Sequence, residues 1–370
     1  MKVFMIGAGD IAKSHGRAVV KLGGKVIGAF DVNKEGLRKY CMEFECDAVE
    51  YDQLEAYIEQ ADYVVLCTPP TKRIDYAEKI LKAHKPMYME KPIATTMEDA
   101  KVLIELSEKY NGKILVGFAH RYRPAFQKMV ELVRSGILGE PVQAFSHRYG
   151  PGYGFGQRTL AESWRTDPNL ACGMTIESIS HEFNLLSALV GEFETIAANV
   201  ACTIPSVPQY DTNTNMTMRA RNGAIVTIGA SWSSAVGVNV KGFIGTKGAV
   251  FLKGRNMFEF DEVVYKTIDM PTEQSFIFND SYAKDQDGVI FNAHEHFFDC
   301  LLNGKEICTP LSEGVKVLLL SNAALESSRE KKTVTLNYEV KNENISRWRS
   351  MTSSSDWHSS SFRIYISLVL

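Results

Sequence analysis

The first 120 residues alternate between short apolar segments and amphipathic segments, and this alternation restricts the possible folds more than any other feature of the sequence. The segments MKVFMIG, KVIGAFD, YVVLCTP, PMYME and KILVGF are rich in β-branched or aromatic residues, as strands are. Helical patterns such as IAKSHGRAVVKL and MEDAKVLIELSEKY lie between them. Strands that alternate with helices usually form a parallel sheet with helical crossovers. We therefore predict that residues 1–120 form a doubly wound α/β sheet.

The pattern changes after about residue 137. Strand-like segments such as ETIAANVAC, AIVTIGASW and MFEFDEVVYKTI are separated by turn residues, which is typical of an antiparallel sheet. Helical patterns interrupt them at 174–190, 289–303 and 312–329. The second part is thus predicted to be an α+β domain with a large, open, mainly antiparallel sheet. We place the two domains at 1–120 and 121–340, and expect the atypical Ser-rich tail at 341–370 to be disordered or artefactual.

The hexapeptide GAGDIA connects the first predicted strand to the first predicted helix. Gly7 permits a tight turn, Gly9 lets the backbone approach a pyrophosphate, and Ala12 permits close packing of the helix on the strand. The N-terminus of the helix, which contains Asp10 and Ile11, offers free N–H groups to the phosphates. This strand–turn–helix setting predicts a Rossmann domain that binds a dinucleotide.

An acidic residue, Asp31, ends the second predicted strand, 24 residues after Gly7. A carboxylate at this position accepts hydrogen bonds from the adenosine ribose and repels a 2′-phosphate. The sequence therefore favours NAD as the cofactor. NADP stays possible, because Lys34 and Arg38 follow closely and could soften that preference.

The tripeptide Glu90-Lys91-Pro92 places two charges at the end of a strand that is predicted to be buried. In open α/β sheets, ligands bind beyond the carboxyl ends of the strands. The same edge carries GAGDIA, Asp31 and the Thr68-Pro69 pair, so we expect Glu90 and Lys91 to face the cofactor crevice. A lysine there could hydrogen-bond a substrate oxygen and stabilise negative charge developing on it.

With these segments in view, the chain resembles the Gfo/Idh/MocA family, that of glucose–fructose oxidoreductase and inositol dehydrogenase. The resemblance covers roughly residues 1–340, and its most specific element is Glu90-Lys91-Pro92. GFAHRYRP at 117–124 resembles the family's segment that links the two domains, and Trp164-Arg165 resembles the stretch that approaches the nicotinamide. The segments Glu295 to Gly304 and Leu311 to Ser328 resemble its closing helices. The resemblance implies an NAD(P)-dependent oxidoreductase that transfers a hydride between the nicotinamide and a secondary alcohol of a sugar, inositol or related polyol.

The resemblance also implies that Lys91 is catalytic, assisted by an acid and a histidine on a helix of the second domain. The matching segment is CGMTIESISHEFN at 172–184. The family typically has an Asp, a His four residues later, and then another Asp, where this chain has Glu177, His181 and Asn184. Residues four apart lie on one face of a helix, so Glu177 and His181 can serve one site. We expect His181 to be the base, Lys91 to polarise the reacting oxygen, and Glu177 to orient His181 or bind a substrate hydroxyl.

Other site residues follow from their place at the sheet edge, from the resemblance, or from a loop. We expect Thr68, Pro69, Glu90, Trp164 and Arg165 to contact the cofactor. Lys91, Arg121, Tyr153 and Asn184 are candidates for substrate binding. The loop GYGFGQ, which contains Tyr153, could form an aromatic sugar-binding rim or be a plain glycine loop.

The triplet His294-Glu295-His296 invites a metal interpretation. Alternate positions on a helix point in different directions, and the sequence offers no third ligand. We therefore expect these residues to lie on a helix surface, and we predict no metal site.

Composition excludes several other partners. The net charge is −3 without a dense basic block, so a nucleic-acid partner is not indicated. No apolar run is long enough to span a membrane, and the start of the chain is not a secretory signal. Seven scattered cysteines fit reduced thiols in a cytoplasm. We expect a cytoplasmic homo-oligomer, a dimer or tetramer, the oligomer being implied by the resemblance alone.

Two alternatives to a dehydrogenase remain open, because some relatives of such enzymes act differently on the same fold. One is an NAD-dependent glycosidase that acts by transient oxidation. The other is a regulator that binds the nucleotide and catalyses nothing. The presence of Lys91 and His181 argues against the regulator.

Overall fold

A computed structural model describes residues 1–152, 167, 170, 172–203, 210–281 and 286–338 of the protein. Tyr153, Trp164, Arg165 and the tail at 341–370 lie outside the described residues, and so do the predictions that concern them.

The first sheet has six parallel strands in the order β3-β2-β1-β4-β5-β6. They are β1 (Lys2–Ile6), β2 (Lys25–Phe30), β3 (Asp47–Ala48), β4 (Tyr63–Leu66), β5 (Met87–Met89) and β6 (Ile114–Val116). The helices between them are α1 (Asp10–Lys21), α2 (Lys34–Phe44), α3 (Leu54–Gln60), α4 (Ile74–Lys82) and α5 (Met97–Tyr110). The predicted doubly wound sheet is confirmed. The strand order reverses between β1 and β4, which is where such sheets bind ligands.

The local sequence explains these elements. Strands β1, β4 and β5 are apolar almost throughout and are buried, as parallel strands covered on both faces are. Helix α5 begins where the Thr96 hydroxyl accepts a hydrogen bond from the Asp99 N–H, and α2 begins where the Asn33 side chain accepts one from the Gly36 N–H.

The second sheet has nine strands in the order β14-β13-β12-β11-β7-β10-β9-β8-β15. Its strands are β7 (Pro141–Pro151), β8 (Phe193–Ala201), β9 (Asn213–Ala220), β10 (Ile225–Ser231), β11 (Ser233–Gly245), β12 (Gly248–Gly254), β13 (Glu259–Thr267), β14 (Gln274–Ser281) and β15 (Val334–Thr335). The helices are α6 (Pro124–Arg134), α7 (Gly173–Glu177), α8 (Ile179–Val190), α9 (Gln286–Asn303) and α10 (Leu311–Glu330). Of the strand pairs described, β7 with β10 is parallel and the others are antiparallel. The prediction of an open, mainly antiparallel sheet is confirmed.

One face of the second sheet is covered and the other is partly open. Along β7, Ser146 and Arg148 are buried beneath α8, whereas Phe145 and Tyr149 on the opposite face are half-exposed. The ring of Phe145 lies over Gly242 of β11, where a Cβ would stand 2.2 Å from the Phe145 ring. We call this side, carrying Phe145, Tyr149 and Phe251, the outer face of the second sheet.

The last two helices return to the first sheet. Helix α9 packs against α1, and its residues Ala293 and Phe297 share a core with Val3 and Met5 of β1. Helix α10 contacts α5 as well as β8. Residues 1–336 form one compact unit, so the predicted domain boundary near residue 120 stays a prediction. None of the helices described is both long and apolar enough to cross a membrane.

Candidate active site

The two glycines of the GAGDIA turn have different surroundings. Gly7 has φ +103°, and a Cβ there would stand 2.9 Å from the Cys67 carbonyl carbon. Gly9 precedes α1 with φ −74°, and a Cβ there would meet no atom within 4 Å. Gly7 is therefore required by the turn itself. Gly9 borders open space at a helix N-terminus, which fits a glycine retained for the approach of a pyrophosphate.

Asp31, just beyond β2, is tied to this turn. Its Oδ2 accepts a hydrogen bond of 2.7 Å from the Ala8 N–H, and its Oδ1 accepts one of 2.8 Å from the Asn33 N–H. The buried hydroxyl of Thr68, which follows β4, has no hydrogen-bond partner among the residues described. An anchored carboxylate and an unsatisfied hydroxyl at the same sheet edge fit a dinucleotide with its ribose at Asp31.

Glu90 and Lys91 follow β5 at this edge, as predicted. Glu90 is only 6% exposed, and its Oε2 accepts a hydrogen bond from the Lys91 N–H. The Arg73 guanidinium donates to the main-chain carbonyls of Thr68, Glu90 and Pro92. Burial lowers the pKa of Arg73 to about 10, so it stays charged at neutral pH. Arg73 therefore joins the Thr68 loop to the Glu90–Lys91 turn, a role that the sequence did not indicate.

The Lys91 ammonium reaches across to the second part of the chain. Its Nζ donates a hydrogen bond of 3.0 Å to the main-chain carbonyl of Glu177, which also accepts one from the Ser180 hydroxyl. The helical pattern predicted at 174–190 is broken here into α7 and α8, with the His181 N–H bonded to the Ser178 carbonyl at 3.2 Å. A side chain that inserts into a helical hydrogen-bond ladder distorts the helix at that point. The break at Ser178 thus accompanies the insertion of Lys91.

His181 lies in the first turn of α8 and stacks on His120, with ring centroids 4.1 Å apart. Its Nδ1 is buried and has no hydrogen-bond partner among the residues described. Burial lowers the pKa of His181 well below its ordinary value, and the nearby charges of Lys91 and Arg148 lower it further. His181 is therefore a neutral imidazole at neutral pH, in the protonation state that a general base requires.

The Glu177 carboxylate is held from the opposite side. Its Oε2 accepts a hydrogen bond of 2.7 Å from the Tyr210 hydroxyl, and the Tyr210 ring stacks on Trp232. The neighbouring Asp211 accepts two hydrogen bonds from Thr175 at the start of α7. Burial raises the pKa of Asp211 to about 6 against the effect of those bonds, with a smaller contribution from Glu177. Tyr210 and Asp211 were not predicted, because they lie far from Glu177 in sequence.

A buried ionic cluster supports α8 from the second sheet. Glu182 accepts hydrogen bonds from Lys241 at 2.7 Å, from Arg148 at 3.0 Å and from Ser146 at 2.6 Å. All three charged side chains are at most 4% exposed. Glu182 directly follows His181 in α8, so the cluster fixes this part of α8 against β7 and β11.

Two further candidates, Arg121 and Asn184, lie together. Arg121 donates to the main-chain carbonyl of Asn184 at 3.1 Å, and the Asn184 amide nitrogen lies 3.4 Å from Glu313. The Asn184 Oδ1 is buried without a hydrogen-bond partner among the residues described. Asn184 thus offers an unused acceptor, whereas Arg121 is engaged in holding α8.

The helix-surface prediction for His294 is wrong. His294 is fully buried, and it hydrogen-bonds His15 of α1 and Tyr63 of β4. His15 carries a sequence signal that could have been read, since it lies on the buried stripe of α1 with Ala12 and Val19. No group of three or more His, Cys, Asp or Glu side chains in the part of the chain described is arranged to hold a metal ion.

Comparison with known proteins extends these findings. The family model "Oxidoreductase family, NAD-binding Rossmann fold" matches residues 1–118, and "GFO/IDH/MocA C-terminal domain" matches residues 126–251. The inositol 2-dehydrogenase of Rhizobium meliloti (strain 1021) is 23% identical over 342 residues, which are 90% of this chain and 98% of that protein.

Solved structures share the fold. Levoglucosan dehydrogenase in complex with NADH and levoglucosan superposes with a TM-score of 0.81 at 19% identity, over 92% of this chain and all of that one. The WlbA dehydrogenase from Bordetella pertussis, in complex with NADH and UDP-GlcNAcA, superposes with a TM-score of 0.78 at 22% identity, over 91% of this chain and 98% of that one.

Proposed function

Since this chain belongs to the Gfo/Idh/MocA family of oxidoreductases, we propose that it oxidises a secondary alcohol of a sugar, inositol or related polyol, or reduces the corresponding ketone, with NAD. One observation carries the proposal: the Lys91 ammonium at the cofactor edge of the first sheet reaches the Glu177 carbonyl, four residues before His181. A cation that can bind an oxygen and a neutral imidazole that can take a proton are thereby brought close together.

The chain's own residues divide the work as follows. Lys91 donates a hydrogen bond to the substrate hydroxyl and stabilises the negative charge that develops on its oxygen. The neutral His181 imidazole takes the hydroxyl proton. Glu177, fixed by Tyr210, and the free acceptor of Asn184 bind neighbouring hydroxyls of the substrate. When bound, NAD supplies the hydride acceptor.

Glycines 7 and 9, the first turn of α1 and Asp31 would hold the cofactor, with Thr68 and Pro69 beside them. Asp31 opposes a 2′-phosphate. Lys34, which follows Asp31 and could bind such a phosphate, is paired with Glu50, which favours NAD over NADP. The substrate class is supported by the names of similar proteins, an inositol dehydrogenase and a levoglucosan dehydrogenase. We also propose that the protein is cytoplasmic.

We also propose that the protein is a homo-oligomer, a dimer or tetramer, assembled through the outer face of the second sheet. This face carries the Phe145 and Phe251 rings, whose centroids are 5.7 Å apart, and both side chains are half-exposed. Partly exposed aromatic side chains clustered on a sheet face mark a surface suited to association.

The test is NADH formation across a panel of inositols, aldoses, sugar acids and sugar phosphates, with NAD and NADP in parallel. Lys91→Ala is the blank, and Lys113→Ala, at an exposed lysine before β6, is the matched control. We expect turnover of one compound class with NAD, lost by at least a hundredfold in Lys91→Ala and kept in Lys113→Ala. Absence of turnover across the panel, with NADH binding intact by fluorescence, would overturn the dehydrogenase in favour of a non-catalytic role or glycoside cleavage.

A further inference from the structure

A chain of buried hydrogen bonds leads from Glu90 into the first sheet. The Glu90 Oε1 lies 3.2 Å from His15 Nε2, the His15 Nδ1 lies 2.7 Å from His294 Nε2, and the His294 Nδ1 lies 2.9 Å from the Tyr63 hydroxyl. The four residues come from β4, the end of β5, α1 and α9. We call this set the histidine relay.

The relay stays bonded in two protonation states. With His15 neutral, Tyr63 donates to His294, His294 donates to His15, and His15 donates to Glu90. With His15 protonated, the first two bonds reverse direction, because each histidine ring has one nitrogen for each neighbour. In both states His15 Nε2 donates to Glu90. The carboxylate therefore keeps its partner whichever state His15 adopts.

The relay is fixed in place by aromatic packing. The Tyr88 ring stacks on His294 at 4.6 Å and meets the edge of His15 at 4.8 Å. His15, His294, Tyr63 and Tyr88 are all 0% exposed. Hydrogen bonds in such surroundings are strong, and an unpaired member would be costly. The rings thus define one position for the Glu90 carboxylate.

Glu90 depends on this support for its charge. Burial by itself would raise the pKa of Glu90, but the hydrogen bond and charge of His15, followed by Lys91 and Arg73, lower it below its ordinary value. The other ionisable groups that face this carboxylate are Cys67 after β4 and Tyr88 of β5. Without His15, the effect of burial would be opposed less and the pKa of Glu90 would rise.

Glu90 in turn supports Lys91. Its Oε2 accepts the Lys91 N–H, and a Cβ on Gly117 would stand 2.5 Å from its Oε1, so the carboxylate has little freedom to move. We propose that His15 and His294 are positioning residues of the active site, which fix Glu90 and through it the turn that presents Lys91 to the substrate. The kinetic part of this proposal rests on the proposed function. Through His294, helix α9 would help to hold the turn after β5 that carries Glu90 and Lys91.

The kinetic test compares two substitutions of His15. His15→Leu removes both nitrogens, whereas His15→Gln keeps an N–H that can reach Glu90. We expect His15→Leu to lower kcat about tenfold to hundredfold with KM changed less than threefold, since a misplaced catalytic group costs this much. The acid limb of its kcat profile should move to higher pH, and His15→Gln should recover most of the rate. His294→Gln should lie between them, which keeps the test usable if His15→Leu does not fold.

Two controls separate the relay from packing. His296→Gln, two residues along α9 in a half-buried position, should behave as wild type. In a Glu90→Gln background, His15→Leu should cost little more, because the two substitutions act on one interaction. Equal losses in His15→Gln and His15→Leu, or an unchanged pH profile in His15→Leu, would overturn the proposal.

A measurement without turnover keeps the two hypotheses distinguishable. In protein labelled with ¹⁵N histidine and free of cofactor, the ring N–H protons of His15 and His294 should exchange slowly with water. His294→Gln should shift the His15 signal. Rapid exchange of both ring protons would overturn the relay even if a sugar is oxidised. Slow exchange in a protein that oxidises no sugar would reject the proposed function and leave the relay standing.

Discussion

The imidazole rings of His120 and His181 lie face to face, with centroids 4.1 Å apart and planes inclined by 16°. Burial lowers the pKa of each ring well below its ordinary value, and the nearby positive charges of Arg148 and Lys241 lower both further. Burial has the same effect on the pKa of His294. Three histidines are therefore kept neutral in the folded protein.

We expect the free energy of unfolding to fall steeply as the pH drops below about 6.5. The unfolded chain takes up protons on these histidines near that pH, whereas the folded chain does not, so acid favours unfolding. Each histidine contributes a slope of about 1.4 kcal/mol per pH unit, or about 4 kcal/mol for the three together. Urea unfolding between pH 5 and 8 measures the slope.

The control for this prediction is His294→Gln, which should reduce the slope by about 1.4 kcal/mol per pH unit, the contribution of one proton. The contributions of His120 and His181 should remain. Glu90 and Glu182, whose pKa values are lowered despite burial, destabilise the fold only at lower pH, as the medium becomes acidic enough to protonate them. A stability that does not change between pH 7 and 5 would show that the three histidines are not held neutral.

Gly7→Ala should lower the stability of the protein, whereas Gly9→Ala should lower its affinity for NADH. At Gly7, positive φ and the approach of Cys67 make a Cβ costly, and we expect a loss of about 1–3 kcal/mol in unfolding free energy. At Gly9 a Cβ meets nothing, so stability should change by less than about 0.5 kcal/mol. NADH affinity of Gly9→Ala, measured by fluorescence, should nevertheless drop at least tenfold if pyrophosphate occupies that space. Unimpaired binding would place the cofactor elsewhere.

Glu182→Gln should destabilise the protein more than Lys241→Met. Loss of the carboxylate leaves Lys241 and Arg148 buried without their shared anion, and breaking such a pair costs about 3–5 kcal/mol. Lys241→Met leaves Glu182 paired with Arg148, so its cost should be smaller. Urea unfolding of both variants decides the order, and the double variant should cost less than the sum. The reverse order would mean that Arg148 does not hold Glu182.

Phe145→Lys should convert the proposed oligomer to monomer. A buried lysine in the middle of an apolar contact loses its hydration without a partner, which opposes association. Size-exclusion chromatography with light scattering measures the mass, and Met42→Lys, an apolar-to-lysine change on exposed α2, is the control. A wild-type protein that is monomeric at micromolar concentration would contradict the proposal before any variant is made.

The gathering of the predicted cofactor residues at one edge of the first sheet could be predicted from sequence, because its parts are local. Gly7 and Gly9 belong to one turn, and Asp31, Thr68 and Glu90 each follow a strand whose apolar run is visible. Parallel strands bring their carboxyl ends to the same edge whatever the details of packing. This is why the edge was found without any knowledge of distances.

The support of the site could not be predicted in this way. His15 and His294 are 279 residues apart, and only the return of α9 to α1 brings them together. The break at Ser178 has the same origin, since Lys91 reaches the Glu177 carbonyl from 86 residues away and the local pattern favours an unbroken helix. At Ser178 a tertiary contact overrode local propensity, whereas α1 and α9 are helical as predicted and only their contact was hidden from the sequence.

The shared core of β1 and α9 also concerns how the protein is made. Val3 and Met5 leave the ribosome long before Ala293 and Phe297 have been synthesised. The nucleotide-binding part therefore emerges with apolar side chains uncovered, and at the usual speed of translation it waits roughly 10 s or more for α9. Exposed apolar surface of this kind promotes aggregation. Shortened genes for expression should therefore end after Leu336 rather than near residue 120.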